Sequence, residues 1–319
     1  MIDHNLIEKI YLQDKLAISR TITKIEQANS NSIEILKELH KKIGNAYRIG
    51  ITGPPGAGKS TLTNQLTKFY RKEGYTVGII AVDPTSPFTG GALLGDRIRM
   101  GEIGNDPGVF IRSMASRGSL GGLSNKTQDA ADVLDAAGYD FIIFETVGVG
   151  QSELDIVKVA DTTIVVLVPE SGDSIQAMKA GLMEIADIFV LNKGDRPGAD
   201  SAITSLKTMI ALKDHNSESW LPPIIKTIAQ ENHGINDVIE GINNHRKFLI
   251  NHDFLNKKRE ENIKIRVKEI VEEFIKQEIW NTQRLNELNN EIKKAVIGKS
   301  SPYQIAENLI NNYKNSIMD

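Results

Sequence analysis

Apolar positions along the chain fall into three regimes. Up to about Asn45 they recur at helical spacing: Ile18, Ile22 and Ile25 share one face, and Ile33, Leu36 and Leu39 repeat it. This predicts an amino-terminal helical extension, with Ser32 capping its second helix. From Tyr47 to about Ile250, short apolar runs alternate with helical stretches. The runs Tyr47–Thr52, Val77–Val82, Val109–Arg112, Phe141–Phe144, Thr162–Val168, Ile188–Leu191 and Ile224–Ile228 predict strands. Several are apolar throughout, as parallel strands covered on both faces must be. Ser60–Lys72, Thr127–Ala137 and Ile175–Ile185 fit as helices between them. The alternation predicts an α/β fold, a doubly wound, mostly parallel sheet with ligands at the carboxyl ends of its strands.

Beyond Asn251 the pattern becomes helical again. Ile263, Val267, Ile270, Val271, Phe274 and Ile279 form one stripe, and Leu285, Leu288, Ile292 and Val296 another. A third helix is expected to open at Ser301-Pro302, a cap followed by proline in the first turn. Residues 1–45, 46–250 and 251–319 thus read as a helical extension, a central domain and a helical arm. The arm either packs on the domain or pairs with a second copy.

Gly53-Pro-Pro-Gly-Ala-Gly-Lys-Ser60 fits G-x-x-x-x-G-K-[ST] and lies between a predicted strand and a predicted helix. In such a phosphate loop, Gly53, Gly56, Ala57 and Gly58 let backbone N–H groups curl toward phosphate oxygens. Lys59 reaches the β- and γ-phosphates, Ser60 offers a hydroxyl to Mg²⁺, and the helix start through Thr61 adds its partial positive charge. Magnesium prefers hard oxygen ligands. Asp83 and Glu145 end predicted strands, and Asp96 lies in the glycine-rich loop between them. These three acids and Ser60 are the candidate metal ligands. Glu145-Thr-Val-Gly148 has the form of a D-x-x-G γ-phosphate sensor with Glu in place of Asp.

Asn192-Lys193-Gly194-Asp195 follows another predicted strand. Guanine presents two donors on one edge, and the Asp195 carboxylate accepts both; adenine presents an acceptor there and is repelled. Asn192 is expected to bond the other edge of the base, and the Lys193 stem to cover the ring. Thr227–His233, after the next strand, is a source of backbone contacts to the base. GTP and GDP are the expected nucleotides.

Composition narrows the alternatives. Hydrophobic residues make up 40% and charged residues 25%, with a formal net charge of -3. This suits a globular protein with a sizeable core and gives no sign of nucleic-acid binding or a basic membrane-facing surface. The absence of cysteine excludes disulfides and thiolate metal sites. The amino terminus lacks the pattern of a signal peptide and no apolar run is long enough to span a bilayer, so the cytoplasm is expected.

AVDPTSP (81–87), GALLGDRIRM (91–100), FETVGVGQSE (144–153), VPESGDSIQAMKAGLMEIAD (168–187) and NKGD (192–195) resemble the G-protein chaperones of methylmalonyl-CoA mutase. Proteins of this family were once described as kinases or ATPases of lysine/arginine/ornithine transport. The resemblance is specific from Ile49 to about Asp195 and looser through both extensions, including SSPYQIAENLI. It implies a SIMIBI-type P-loop G domain, hydrolysis of GTP to GDP and phosphate, and a homodimer built partly through the carboxyl-terminal helices. The implied role is to gate adenosylcobalamin delivery to an acyl-CoA mutase and to protect that enzyme.

Residue by residue, the resemblance makes Lys59 and Ser60 the phosphate and Mg²⁺ residues, and Asp83, Asp96 and Glu145 mobile metal-site acids. Lys59, Asp96 and Glu145 are the expected catalytic set. Gly172–Gly181 matches an extra switch loop, with Asp173 and Lys179 as its switch residues; Glu170-Ser171 departs from the smaller residues expected there. Val149 stands where Ras-like GTPases keep a water-orienting glutamine. Intrinsic hydrolysis is therefore expected to be slow, with Arg97, Arg99 and Arg117 as candidates to complete the site. No cobalamin-binding D-x-H-x-x-G pattern occurs, so the cofactor would belong to the partner.

Other readings are a nickel-delivery GTPase, a transport-associated kinase, or a scaffold with a dead nucleotide site. The first generally uses Cys or His clusters, the second needs an acceptor site and ATP, and the third conflicts with intact Lys59, Ser60 and Asp195.

Overall fold

The computed structural model describes residues 3–27, 31–83, 101–115, 125–146, 155–169, 180–212 and 219–318. Within them the order is α1 (His4–Tyr11), α2 (Lys15–Glu26), α3 (Ser32–Leu39), β1 (Tyr47–Thr52), α4 (Lys59–Lys72), β2 (Val77–Asp83), α5 (Gly101–Gly104) and β3 (Val109–Ala115). Then come α6 (Asn125–Ala136), β4 (Phe141–Thr146), β5 (Thr162–Leu167), α7 (Ala180–Ile185), β6 (Ile188–Leu191), α8 (Ala199–Ala211) and β7 (Ile224–Lys226). The chain continues as α9 (Ile235–Asn251), α10 (Phe254–Ile279), α11 (Thr282–Val296) and α12 (Pro302–Met318). Short 3₁₀ turns occupy His40–Lys42, Ile156–Lys158 and Ala229–Glu231.

The seven strands form one sheet in the order β3-β2-β4-β1-β5-β6-β7, and every pairing is parallel. Strands β4, β5 and β6 are buried at every position, which is why they appear in the sequence as unbroken apolar runs. Alternate residues serve opposite faces: Ile164 and Val166 pack with Leu62 and Leu66 of α4 and Val238 and Ile242 of α9, whereas Val165 and Leu167 pack with Leu206 of α8. On the same side as α8, Ile142 and Phe144 meet α6 and the amino-terminal helices.

Those helices belong to the body of the domain: Ile18, Ile22 and Leu39 share a core with Ala130, Val133 and Leu134 of α6. Helix α1 precedes the two helices expected, its periodicity compressed into Ile7 and Ile10. Ser32 is the first helical residue and not a cap; the N-cap is Asn31, which makes no side-chain capping bond. Strand β3 runs to Ala115, beyond the expected Arg112, because its ladder with β2 continues to the pair Asp83 and Ala115. Strand β7 ends at Lys226, short of the expected Ile228, because Ile228 turns to bridge His233. At α12 the capping expectation holds: Ser301 Oγ accepts the Gln304 N–H at 3.1 Å, and Gln304 Oε1 accepts the Ser301 N–H at 2.9 Å.

Two compact units divide the chain, Met1–Arg259 and Glu260–Asp319. In the second, Ile305 and Leu309 are buried, the Arg284 guanidinium lies 5.0 Å from the Tyr313 ring centre, and the Tyr313 hydroxyl donates to Glu278 at 2.9 Å. No helix among the described residues is long and apolar enough to cross a membrane.

Candidate nucleotide site

The central strand β1 delivers its chain directly into the glycine loop. Gly53, Gly56 and Gly58 have φ of 137°, 74° and 92°, values that L side chains rarely adopt. Two of these positions are also sterically closed. A Cβ on Gly53 would meet the Val166 carbonyl oxygen at 2.1 Å, and one on Gly58 the Asn192 Nδ2 at 2.2 Å. Ala57 is buried below the loop. Gly58 is the N-cap of α4, and no side chain caps that helix. The N–H groups of its first turn lack intrahelical acceptors, and an anion would satisfy them.

Lys59 opens α4 and is buried. Its Nζ donates to the Gly53 carbonyl at 2.7 Å and the Pro54 carbonyl at 3.0 Å, so the ammonium folds back over its own loop. Phosphate would replace two neutral acceptors by charged ones, a stronger pairing. Ser60 and Thr61 follow, both half-buried. The Ser60 hydroxyl donates to Glu145 Oε1. Glu145 is buried near the end of β4, in register with Ile51 of β1 and Ala81 of β2. Its neighbour Thr146 donates to the Thr52 hydroxyl at 3.2 Å, joining the ends of β4 and β1 beneath the loop. Asp83 closes β2 at the same edge of the sheet. Asp96, Gly148, Asp173 and Lys179, like Arg97, Arg99 and Arg117, lie outside the described residues.

A hydroxyl beside a carboxylate is the oxygen-rich chemistry Mg²⁺ takes, so Ser60 and Glu145 fit that ion. Among the described residues, no group of three or more His, Cys, Asp or Glu side chains could hold a metal by itself.

The second half of the site is built on β6. Asn192 is buried, and its side chain is a strut: Nδ2 donates to the Ala57 carbonyl at 2.8 Å, while Oδ1 accepts the Ala229 N–H at 3.0 Å and the Thr227 hydroxyl at 3.1 Å. These bonds within the protein tie the phosphate loop to the turn after β7. Lys193 has φ of 56° and is half-buried. Gly194 donates to the Thr227 carbonyl at 2.9 Å, and Asp195 is exposed. A neutral amide suits the buried strut, and a carboxylate left in solvent is available to a ligand.

Sequence reasoning missed this strut, the Thr52–Thr146 pair and Gln65, whose Nε2 donates to the Ala229 carbonyl at 2.9 Å. Only the polar character of Gln65, inside a helix whose neighbour Leu66 is buried, hinted at a partner.

A family model described as Methylmalonyl Co-A mutase-associated GTPase MeaB matches residues 18–284. A Pyrococcus abyssi protein named as a GTPase is 49% identical over 97% of this chain and 96% of its own length. The mouse protein named methylmalonic aciduria type A homolog, mitochondrial, is 31% identical over 84% of this chain and 66% of its own. Among solved structures, one titled LAO/AO transport system kinase superposes with a TM-score of 0.73 at 24% identity, covering 98% of this chain and 99% of that one.

Proposed function

We propose that this chain, which belongs to the family of methylmalonyl-CoA mutase-associated GTPases, hydrolyses Mg-GTP in the cytoplasm to gate adenosylcobalamin delivery to an acyl-CoA mutase and to protect that enzyme. The reading rests on one observation above the rest: Asn192 joins the Ala57 carbonyl to Thr227 and Ala229. Phosphate recognition and base recognition thereby share one frame. Lys59 and the first turn of α4 bind the β- and γ-phosphates, and Asp195 accepts the two guanine donors. Ser60, Glu145, Asp83 and Asp96 hold Mg²⁺, which when bound neutralises charge on the phosphate oxygens. Glu145 is covalently continuous with Gly148, so a change at the γ-phosphate reaches the segment that follows β4. Asp173 and Lys179 carry that change to the partner.

The carboxyl-terminal helices make the contact between two copies. Their exposed apolar stripe on α10, with Val267 and Phe274 about half accessible, supports this.

Two measurements test the reading. Calorimetry should give GDP an affinity at least about tenfold above ADP, with Asp195→Asn reversing the preference toward xanthine nucleotides. GTP turnover should be slow alone and rise at least about tenfold with the mutase, a rise that Lys179→Ala removes. Equal binding of ADP and GDP would end the guanine assignment, and a rate indifferent to the mutase would end the chaperone role.

A further inference from the structure

We infer that Gln65 is a positioning residue for base recognition, an inference that rests on the guanine reading above. Ala229 is gripped at both ends of its residue. Its N–H donates to Asn192 Oδ1 at 3.0 Å, and its carbonyl accepts Gln65 Nε2 at 2.9 Å. The two grips come from different parts of the fold: Asn192 follows β6, whereas Gln65 projects from α4 less than two turns after Lys59. One contact ties the turn after β7 to the loop that carries Asp195; the other ties it to the helix whose first turn faces the phosphates.

The geometry gives Gln65 a task that Asn192 alone does not perform. A nucleotide spans the two subsites at a fixed length, and recognition by paired hydrogen bonds loses strength steeply with misalignment. The Ala229–Glu231 turn has to sit at a set height above α4 for its backbone to meet the base edge. Elsewhere the turn is held by the Ile228–His233 bridge and by Gly234, where a Cβ would meet the Lys226 carbonyl oxygen at 2.4 Å. Those contacts fix its shape, and Gln65 adds a directed polar tie to α4 beside the apolar core that Ala229 shares with Leu62 and Leu66. Without the amide donor, the Ala229 carbonyl turns to water and the base wall loses its registration against the phosphate wall. Such an error penalises guanine more than adenine, because only guanine is read by the aligned wall.

The test uses the full chain, with GDP, IDP and ADP as probes in calorimetry, GTP in steady-state kinetics, and thermal unfolding of the nucleotide-free protein. Gln65→Leu removes the donor at similar volume, and Gln65→Lys restores one. Gln65→Leu should weaken GDP binding and raise the GTP KM roughly fivefold to tenfold, with kcat within about twofold and the GDP-to-ADP affinity ratio reduced. Gln65→Lys should recover most of that loss. An unchanged GDP-to-ADP ratio in Gln65→Leu, with the native protein still preferring GDP, overturns the positioning role while leaving the guanine reading intact. A rise of KM together with a loss of kcat, both in step with a lowered unfolding temperature and unrepaired by Gln65→Lys, also overturns it, by reducing Gln65 to a structural contact. A native protein that binds ADP and GDP equally removes the guanine reading itself.

Discussion

His245 is fully buried, yet every polar atom of its ring has a neighbour. Nδ1 lies 2.9 Å from the Thr162 hydroxyl, which in turn lies 2.5 Å from the Tyr47 hydroxyl. Nε2 lies 3.4 Å from Asp187 Oδ1. Burial pushes the Tyr47 phenol pKa up, so its hydroxyl keeps its proton, and the Asp187 carboxylate beside Nε2 favours a proton on that nitrogen. With the ring proton on Nε2, Nδ1 accepts from the Thr162 hydroxyl and Thr162 accepts from Tyr47. Burial lowers the His245 pKa below its ordinary 6.5; Asp187 and Asp161 oppose that shift and Lys258 adds to it. A lowered folded value means the folded protein binds fewer protons than the unfolded chain just below pH 6.5. The contribution to stability is therefore complete above 6.5 and is lost as pH falls from there toward the lowered value. Replacing His245 by Gln should flatten the fall of the urea midpoint between about pH 7 and about pH 5. An undiminished slope would assign the acid sensitivity to other groups.

At the scale of elements, the opening of α10 shows how a helix that looks entirely solvated acquires partners. Its charged run Lys257-Lys258-Arg259 has no apolar signature, and none of the helix's residues is buried. In the fold, Arg259 donates from Nε to Asp161 Oδ1 at 2.9 Å and from Nη2 to Oδ2 at 2.7 Å. The same guanidinium reaches the Gly44 carbonyl at 2.8 Å and the Ala46 carbonyl at 2.9 Å. Asp161 also accepts the Arg48 N–H at 2.9 Å, and the Arg48 side chain pairs with Asp132 at 2.8 Å and Asp135 at 3.1 Å. Asp135 accepts the N–H groups of Gly44, Asn45 and Ala46. One network thus fastens the opening of α10 through Arg259, α6, the start of β1 and the start of β5 at the amino edge of the sheet. Arg259→Met keeps the stem and removes the fork. It should cost about 2–3 kcal/mol in urea unfolding, because the nearly buried Asp161 carboxylate loses its bidentate partner. GDP affinity at the opposite edge should stay within about twofold, since distant sites couple weakly. A loss of GDP binding equal to the loss of stability would mean the two edges act together.

For the whole molecule, the strongest consequence lies in the second unit. Ile263, Val267, Val271 and Phe274 recur along one side of α10, with exposures of 52%, 54%, 48% and 53%. Exposed apolar side chains aligned this way mark a contact surface. Light scattering should report a mass near twice the chain's 35.2 kDa. Val267→Glu together with Phe274→Glu should give the single-chain mass, because two charges would be carried into an apolar contact. A native protein of single-chain mass would remove the homodimer from the proposal.

The alternation of strands and helices was legible in the sequence because strands covered on both faces leave unbroken apolar runs, as Phe141–Phe144 and Ile188–Leu191 do. The phosphate loop and Asn192-Lys193-Gly194-Asp195 were legible because each is a local turn whose chemistry is carried by consecutive residues. Asn192 itself shows where local reading stops: its presence was plain, but its bond to Ala57 spans 135 positions. Ser60 and Glu145 meet across 85 positions, and Gln65 and Ala229 across 164. Periodicity reports which way a side chain faces relative to its own helix or strand. Which group it meets there depends on the strand order β3-β2-β4-β1-β5-β6-β7, which sets β4 beside β1 and carries β6 and β7 outward past β5. Hydrogen bonding is short-ranged and directional, so these partners were decided only when packing brought distant segments within 3 Å or so of one another.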